Sequence, residues 1–68
     1  MRPHSSAIRY RRRALHMGLR QLSRLTGIDR GHLSRVERGM AGLGDDYIRK
    51  VAAALGVTTD DITHEETP

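Results

Sequence analysis

The sequence predicts an all-α domain built from five short helices. The chain has 68 residues with no Phe, Trp or Cys and two Tyr, so its core has to be assembled from aliphatic side chains. Runs of β-branched and aromatic residues, which are typical of strands, are absent, whereas apolar residues recur at helical spacing. Glycines and capping residues separate the periodic segments. These observations favour small packed helices over a sheet.

Most of the predicted helices begin or end at a residue that suits a helix terminus. Ser5 or Ser6 is the expected N-cap of the first helix, and Asp29 is that of the third. Gly27 and Gly39 are expected to end the second and third helices in a left-handed conformation, and the fourth helix is expected to stop at Gly56. The predicted helices cover residues 7–16, 19–26, 30–38 and 45–55, with a short fifth turn over 60–63.

Aliphatic residues on these helices and in one loop are expected to form the core. Leu19, Leu22, Leu25 and Thr26 share one side of the second helix and are predicted to pack inwards. Met40 and Leu43, in the loop after the third helix, are expected to fill the edge of the same core.

Charge is distributed unevenly along the chain. The net charge is +4, but residues 1–38 carry ten arginines against two acids, whereas residues 39–68 carry two basic residues against six acids. A basic half beside an acidic half is typical of binding to nucleic acid, although a basic solubilising surface has the same composition. Charge alone therefore leaves both explanations open.

The third helix has two chemically different sides when its residues are placed about 100° apart around the axis. Leu33, Val36 and Glu37 fall on one narrow side, and His32 lies at the border. The opposite side carries polar residues and a glycine: Arg30, Gly31, Ser34, Arg35 and Arg38. Because nothing inside the domain matches this polar side, we expect it to contact a partner molecule.

Glu37 is predicted to form a structural ion pair with Arg12. The carboxylate lies on the apolar side of the third helix, and a buried carboxylate requires a partner. Arg12 lies on the same stripe of the first helix as Ile8 and Leu15. The competing interpretation is an exposed acid that contributes less than about 1 kcal/mol to stability.

Nothing in the sequence predicts catalysis. The four histidines lack the close spacing of metal ligands, and there is no cysteine to complete a metal site. The aspartate pairs at 45–46 and 60–61 fit helix starts better than a general acid–base pair. The stretch GMAGLG lacks the Lys-Ser/Thr of a phosphate-binding loop. We therefore expect a non-enzymatic protein with no metal and no cofactor.

The segment LRQLSRLTGIDRGHLSRVER, residues 19–38, resembles the helix-turn-helix of the Cro and lambda-repressor-like family, the XRE type. The following segment GMAGLGDDYIRKVAAALGVTTDDI resembles the rest of that domain. The resemblance implies a five-helix DNA-binding domain over 8–62, preceded by an N-terminal arm over 1–7 and followed by a flexible tail over 63–68. Its third helix would lie in the major groove of double-stranded DNA.

The resemblance also implies roles for individual residues. The positions that match the base-reading sites of the family are Arg30, Gly31, His32, Ser34 and Arg35. Leu19 matches a phosphate-binding position, where the family often has Gln and where leucine offers only its backbone N–H. Arg20 and Arg38 are placed for further phosphate contacts, near the start of the second helix and the end of the third. Arg12 and Glu37 match an inward salt bridge found in relatives of this type.

These observations together predict a sequence-specific, repressor-like transcriptional regulator in the cytoplasm. The resemblance implies a homodimer on paired half-sites, formed in solution or only on DNA. Two alternatives stay open: an antitoxin that binds a toxin protein through Leu25, Leu43 or the acidic C-terminal turn, and a protein-interaction adaptor with the same fold. The longest apolar run, Val51 to Leu55, is far shorter than a membrane span, so no membrane association is expected.

Overall fold

The computed structural model describes residues 1–64, which form four α-helices, one 3₁₀ helix and one pair of two-residue strands. The α-helices are α1 Ser5–Ala14, α2 Leu19–Thr26, α3 Arg30–Glu37 and α4 Asp45–Leu55, and the 3₁₀ helix is Thr59–Ile62. The strands are β1 Arg2–Pro3 and β2 Thr63–His64, which pair antiparallel. The predicted all-α architecture is confirmed, with the fifth helix formed as a single 3₁₀ turn.

The first helix begins earlier than the sequence predicts. It runs from Ser5 to Ala14, and its N-cap is His4 rather than Ser5 or Ser6. The His4 Nδ1 atom accepts a hydrogen bond of 3.2 Å from the Ala7 N–H, the interaction that a serine oxygen normally makes at this position. The extended backbone that an N-cap needs is fixed from outside the helix, because the His4 N–H donates to the Ile62 carbonyl at 2.8 Å.

Residues 2 and 3 pair with residues 63 and 64, which the sequence does not predict. Arg2 pairs with His64 and Pro3 with Thr63, and the His4 and His64 rings stack with their centroids 4.0 Å apart. The predicted arm over 1–7 is therefore in part a strand and in part helix α1. The predicted flexible tail over 63–68 begins with paired residues, and residues 65–68 lie outside the described residues.

The core is aliphatic, as the composition requires. Its most completely buried side chains come from all four α-helices and the 3₁₀ helix: Ile8, Leu22, Leu33, Val36, Ile48, Val51 and Ile62. Helix α2 packs against both α3 and α4, while α1 packs against α3 and the 3₁₀ helix. Met17 and Ile28, which lie between helices, are buried as well.

Two residues expected in the core are exposed. Leu25 is 56% exposed, because the buried stripe of α2 follows Leu22 and Thr26, and Leu25 lies about 100° around the axis from Thr26. Met40 is 67% exposed, since Gly39 before it has a φ of +75° and redirects the chain. Leu43 is buried at the edge of the core, as predicted.

A buried ion pair joins α1 to α3. Arg12 donates from Nε to Glu37 Oε2 at 2.7 Å and from Nη2 to Oε1 at 2.8 Å. Its Nη1 donates to the Met17 carbonyl at 2.7 Å, which ties the segment between α1 and α2 to the same guanidinium. The hydrogen bonds to Glu37 raise the pKa of Arg12 despite the opposing effect of burial, so the guanidinium stays protonated. Arg12 and Glu37 are 9% and 5% exposed, respectively.

Replacing Glu37 with alanine is expected to destabilise the domain by about 3–5 kcal/mol, because it leaves the Arg12 charge buried without its partner. That loss is comparable to the whole stability of many small domains. Urea unfolding measures it. The control is Asp46→Ala, which breaks the Arg49–Asp46 pair, where the aspartate side chain is 93% exposed. The control should lose less than about 1 kcal/mol. Equal small losses in the two variants would contradict a structural role for the buried pair.

Candidate nucleic-acid interface

A three-residue turn connects α2 to α3 and fixes the angle between them. Gly27 ends α2 with a φ of +76°, in the left-handed region that the sequence predicts for it. Ile28 is 4% exposed and anchors the turn in the core. The Asp29 side chain then accepts a hydrogen bond of 3.2 Å from the His32 N–H and begins α3. A turn with so few residues and a buried anchor holds α3 in one orientation against α2.

Helix α3 has an inner and an outer side, as its sequence pattern predicts. Leu33, Val36 and Glu37 are 1%, 0% and 5% exposed, so the helix is held on this side by core packing and by Arg12. Arg30, Gly31 and Arg35 are exposed on the other side. The outer side therefore presents two guanidinium groups with a gap in the side-chain cover between them.

Gly31 marks the place where the outer side of α3 is narrowest. A Cβ atom added there would lie 3.0 Å from Asp29 Oδ2 and 3.6 Å from Arg35 Nη1. The Arg35 guanidinium thus lies beside the side-chain-free position, one turn along the helix. The Asp29 carboxylate and the Arg35 guanidinium therefore both lie next to the Gly31 backbone.

The two other predicted base-reading residues are half-buried. The His32 Nε2 atom lies 3.0 Å from the Gly42 carbonyl, so this ring joins α3 to the loop before α4. The backbone carbonyl of Ser34 accepts a hydrogen bond of 3.3 Å from Arg38 Nε. Of the five predicted base-reading residues, Arg30, Gly31 and Arg35 are therefore exposed. His32 and Ser34 are half-buried; the first contacts the loop before α4, and the second contacts Arg38 at the helix end.

The start of α2 offers backbone donors rather than side-chain donors. Its N-cap, Gly18, makes no side-chain hydrogen bond, so the first N–H groups of α2 are not capped by that residue. Leu19 is half-buried and packs against the core, while Arg20 beside it is exposed. A helix N-terminus with a neighbouring arginine suits a phosphate group.

The arginines of this surface are not neutralised by acids. The ion pairs formed within residues 1–64 are those of the N-terminal amine, Arg11, Arg12 and Arg49, and none includes Arg20, Arg30 or Arg35. Their positive charge is therefore available to a polyanion.

Tyr47 is a residue of this surface to which the sequence analysis gives no role. It lies in the first turn of α4, is 43% exposed and lines a shallow groove of about 350 Å³ together with Arg35, His32 and the turn before α3. The Lys50 ammonium lies over the Tyr47 ring, 5.3 Å from the ring centroid. No local pattern marks Tyr47, because only the packing of α4 brings it to α3.

Other kinds of site find little support in the described part of the chain. Residues 1–64 contain no group of three or more His, Asp or Glu side chains that could hold a metal ion. Among the helices described, none is long and apolar enough to cross a membrane.

An aliphatic helical core that holds an arginine-bearing helix behind a three-residue turn defines a helix-turn-helix domain. The comparison with protein families agrees, since a family model described as helix-turn-helix matches residues 8–62. The chain belongs to the helix-turn-helix family, and its relatives are regulators of the XRE type.

The relatives include a protein matched by its sequence and two proteins of known structure. An uncharacterized HTH-type transcriptional regulator of Mycobacterium tuberculosis is 36% identical over 55 residues, which are 81% of this chain and 39% of that protein. The clp gene regulator ClgR of Corynebacterium glutamicum has a TM-score of 0.81 and 30% identity, covering 84% of this chain and 61% of that one. The restriction-modification controller protein C.AhdI of Aeromonas hydrophila has a TM-score of 0.82 and 29% identity, covering 85% and 88%.

The extent of these matches differs between relatives. The chain spans about two fifths of the mycobacterial regulator and about three fifths of ClgR, whereas it spans most of C.AhdI. The likeness accordingly concerns the helix-turn-helix domain that all of them share.

Proposed function

We propose that the chain is a sequence-specific transcriptional regulator that binds double-stranded DNA by placing α3 in the major groove. The observation that carries this proposal is the outer side of α3, where Arg30 and Arg35 are exposed around Gly31 while the inner side is fixed to the core. A helix of this kind fits the major groove, and its N-terminal residues meet the base edges.

The exposed residues of α3 have the chemistry that base recognition needs. The planar guanidinium groups of Arg30 and Arg35 match the two acceptors on guanine, O6 and N7. Gly31 lets the backbone approach the groove, and the Ser34 hydroxyl can donate to a base or a phosphate. His32 acts mainly through its contact with the Gly42 carbonyl, which positions the loop after α3 at the DNA.

Phosphate contacts on either side of α3 would orient the helix in the groove. The Leu19 N–H at the start of α2 binds one phosphate, with Arg20 beside it. Arg38, the exposed C-cap of α3, binds a second. These contacts contribute affinity that does not depend on sequence.

The full assembly follows the usual arrangement of such domains. Two copies of the chain would bind two half-sites about one turn of DNA apart, as a homodimer formed in solution or on DNA. ClgR is named as a gene regulator and C.AhdI as a controller protein, and a regulatory, repressor-like role in the cytoplasm is the corresponding proposal for this chain.

An antitoxin or adaptor that binds a protein is the second candidate, and one observation favours it. Leu25 is 56% exposed on α2, so more than half of this apolar residue is open to solvent. In that case the helix-turn-helix fold would serve a protein partner, with or without DNA.

Salt dependence separates these functions. A duplex selected from a random pool should bind with an affinity that falls roughly 100-fold between about 50 and 200 mM salt, if about four phosphates are contacted, because binding releases counterions. Electrophoretic mobility shift at several salt concentrations measures this dependence. Failure to enrich any duplex sequence would contradict the proposal and favour an adaptor.

Arg35→Ala should reduce discrimination at one base pair by about 1–3 kcal/mol while leaving the fold intact, because its side chain is exposed. The measurement is the ratio of Kd values for the selected duplex and single-base variants at fixed salt. Arg13→Ala, an exposed arginine of α1, is the control and should retain the discrimination. Equal discrimination in the two variants would remove Arg35 from base recognition.

A further inference from the structure

A second basic surface lies at the C-terminal end of α3, at the opposite end of that helix from Arg30 and Gly31. It is a cleft of about 640 Å³, a volume within the range of about 300–1,000 Å³ that is usual for small-molecule sites. Its walls come from β1, the start of α1, the end of α3 with the following loop, and β2. The sequence does not predict this cleft, because β1 and β2 come together only in the folded domain.

The charge of the cleft is strongly positive. Arg2 from β1, Arg9 from α1 and Arg38 from the end of α3 all line it. Glu37 is the acid among its lining residues, and both Glu37 oxygens already accept hydrogen bonds from Arg12. None of the ion pairs within residues 1–64 includes the three arginines. Three arginines from separate parts of the fold therefore line one cavity, and Arg38 keeps one donor on the Ser34 carbonyl.

The cleft also contains hydrogen-bond donors. Ser5 and Ser6 lie in the first turn of α1, where backbone N–H groups have no partner within the helix. The end of α3 is close by, since a Cβ atom added to Gly39 would lie 3.7 Å from Ser5 Oγ. The His4 Nδ1 atom accepts the Ala7 N–H and lies 3.2 Å from Ser6 Oγ, so this ring joins the first turn of α1 to the cleft wall.

We propose that this cleft binds a phosphate group, supplied either by the DNA backbone or by a small phosphorylated molecule. A tetrahedral dianion accepts several hydrogen bonds at once, which matches guanidinium forks combined with the N–H groups of a helix start. Within residues 1–64, the carboxylate that lines the cleft is already bound by Arg12, which disfavours a cation as the ligand, and the polar lining does not suit an apolar one.

Amide chemical shifts of the full chain, titrated with inorganic phosphate at constant ionic strength, test the proposal. The expected result is a saturable shift at Ser5, Ser6 and Gly39, with binding about tenfold weaker in the double variant R2Q/R9Q. The control R13Q removes one positive charge from α1 outside the cleft, as R9Q does at the cleft, and should bind phosphate like the original chain. If the double variant does not fold, as judged by its spectrum, R9Q alone replaces it.

Two results would overturn the proposal. One is the absence of a saturable shift at the cleft amides, and the other is equal phosphate binding by R2Q/R9Q and R13Q. Both are independent of DNA, so the cleft can be tested even if the proposed function fails.

Duplex binding then identifies the source of the phosphate, and this comparison rests on the proposed function. If the DNA backbone occupies the cleft, R2Q/R9Q lowers duplex affinity and reduces the slope of log Kd against log salt by about 2 relative to the original chain. If Arg13 also attracts DNA, R13Q lowers the slope by about 1, and R2Q/R9Q lowers it by about 1 more. If a small phosphorylated molecule is the ligand, duplex affinity matches that of R13Q while phosphate binding is lost.

Discussion

The buried ion pair between Arg12 and Glu37 is the constraint on which the rest of the domain depends. One guanidinium holds the last residue of α3 through both carboxylate oxygens and the Met17 carbonyl through its remaining edge. Each buried polar side-chain atom in residues 1–64 has a hydrogen-bond partner, so this charge is compensated. In a domain with a small aliphatic core, the pair fixes where α3 lies relative to α1 and α2.

Fixing the inner side of α3 leaves its outer side free for function. Helix α3 is held in place by core packing at Leu33 and Val36 and by the ion pair at Glu37. Arg30 and Arg35 on the outer side are exposed, and neither forms an ion pair with another residue of the described range 1–64. The same ion pair lies next to the basic cleft, because Glu37 is one of the residues that line it. Arg12 binds the Glu37 carboxylate, which would otherwise repel an anion there.

Local signals made much of this domain predictable, and long-range contacts account for what was not. Gly27 and Asp29 mark the ends of α2 and α3 because their effects depend on neighbouring residues only. The inward position of Glu37 follows from helical periodicity. The N-cap role of His4 depends on the Ile62 carbonyl, and the position of Tyr47 depends on how α4 packs against α3. Neither contact leaves a pattern in the sequence.

We propose that the outer side of α3 is the surface that contacts DNA. Amide and side-chain chemical shifts recorded with a selected duplex would locate the contact surface. We expect the largest changes at Arg30, Gly31 and Arg35, with smaller changes at the first residues of α2. Changes confined to α4 or to the exposed side of α2 around Leu25, with α3 unaffected, would contradict it.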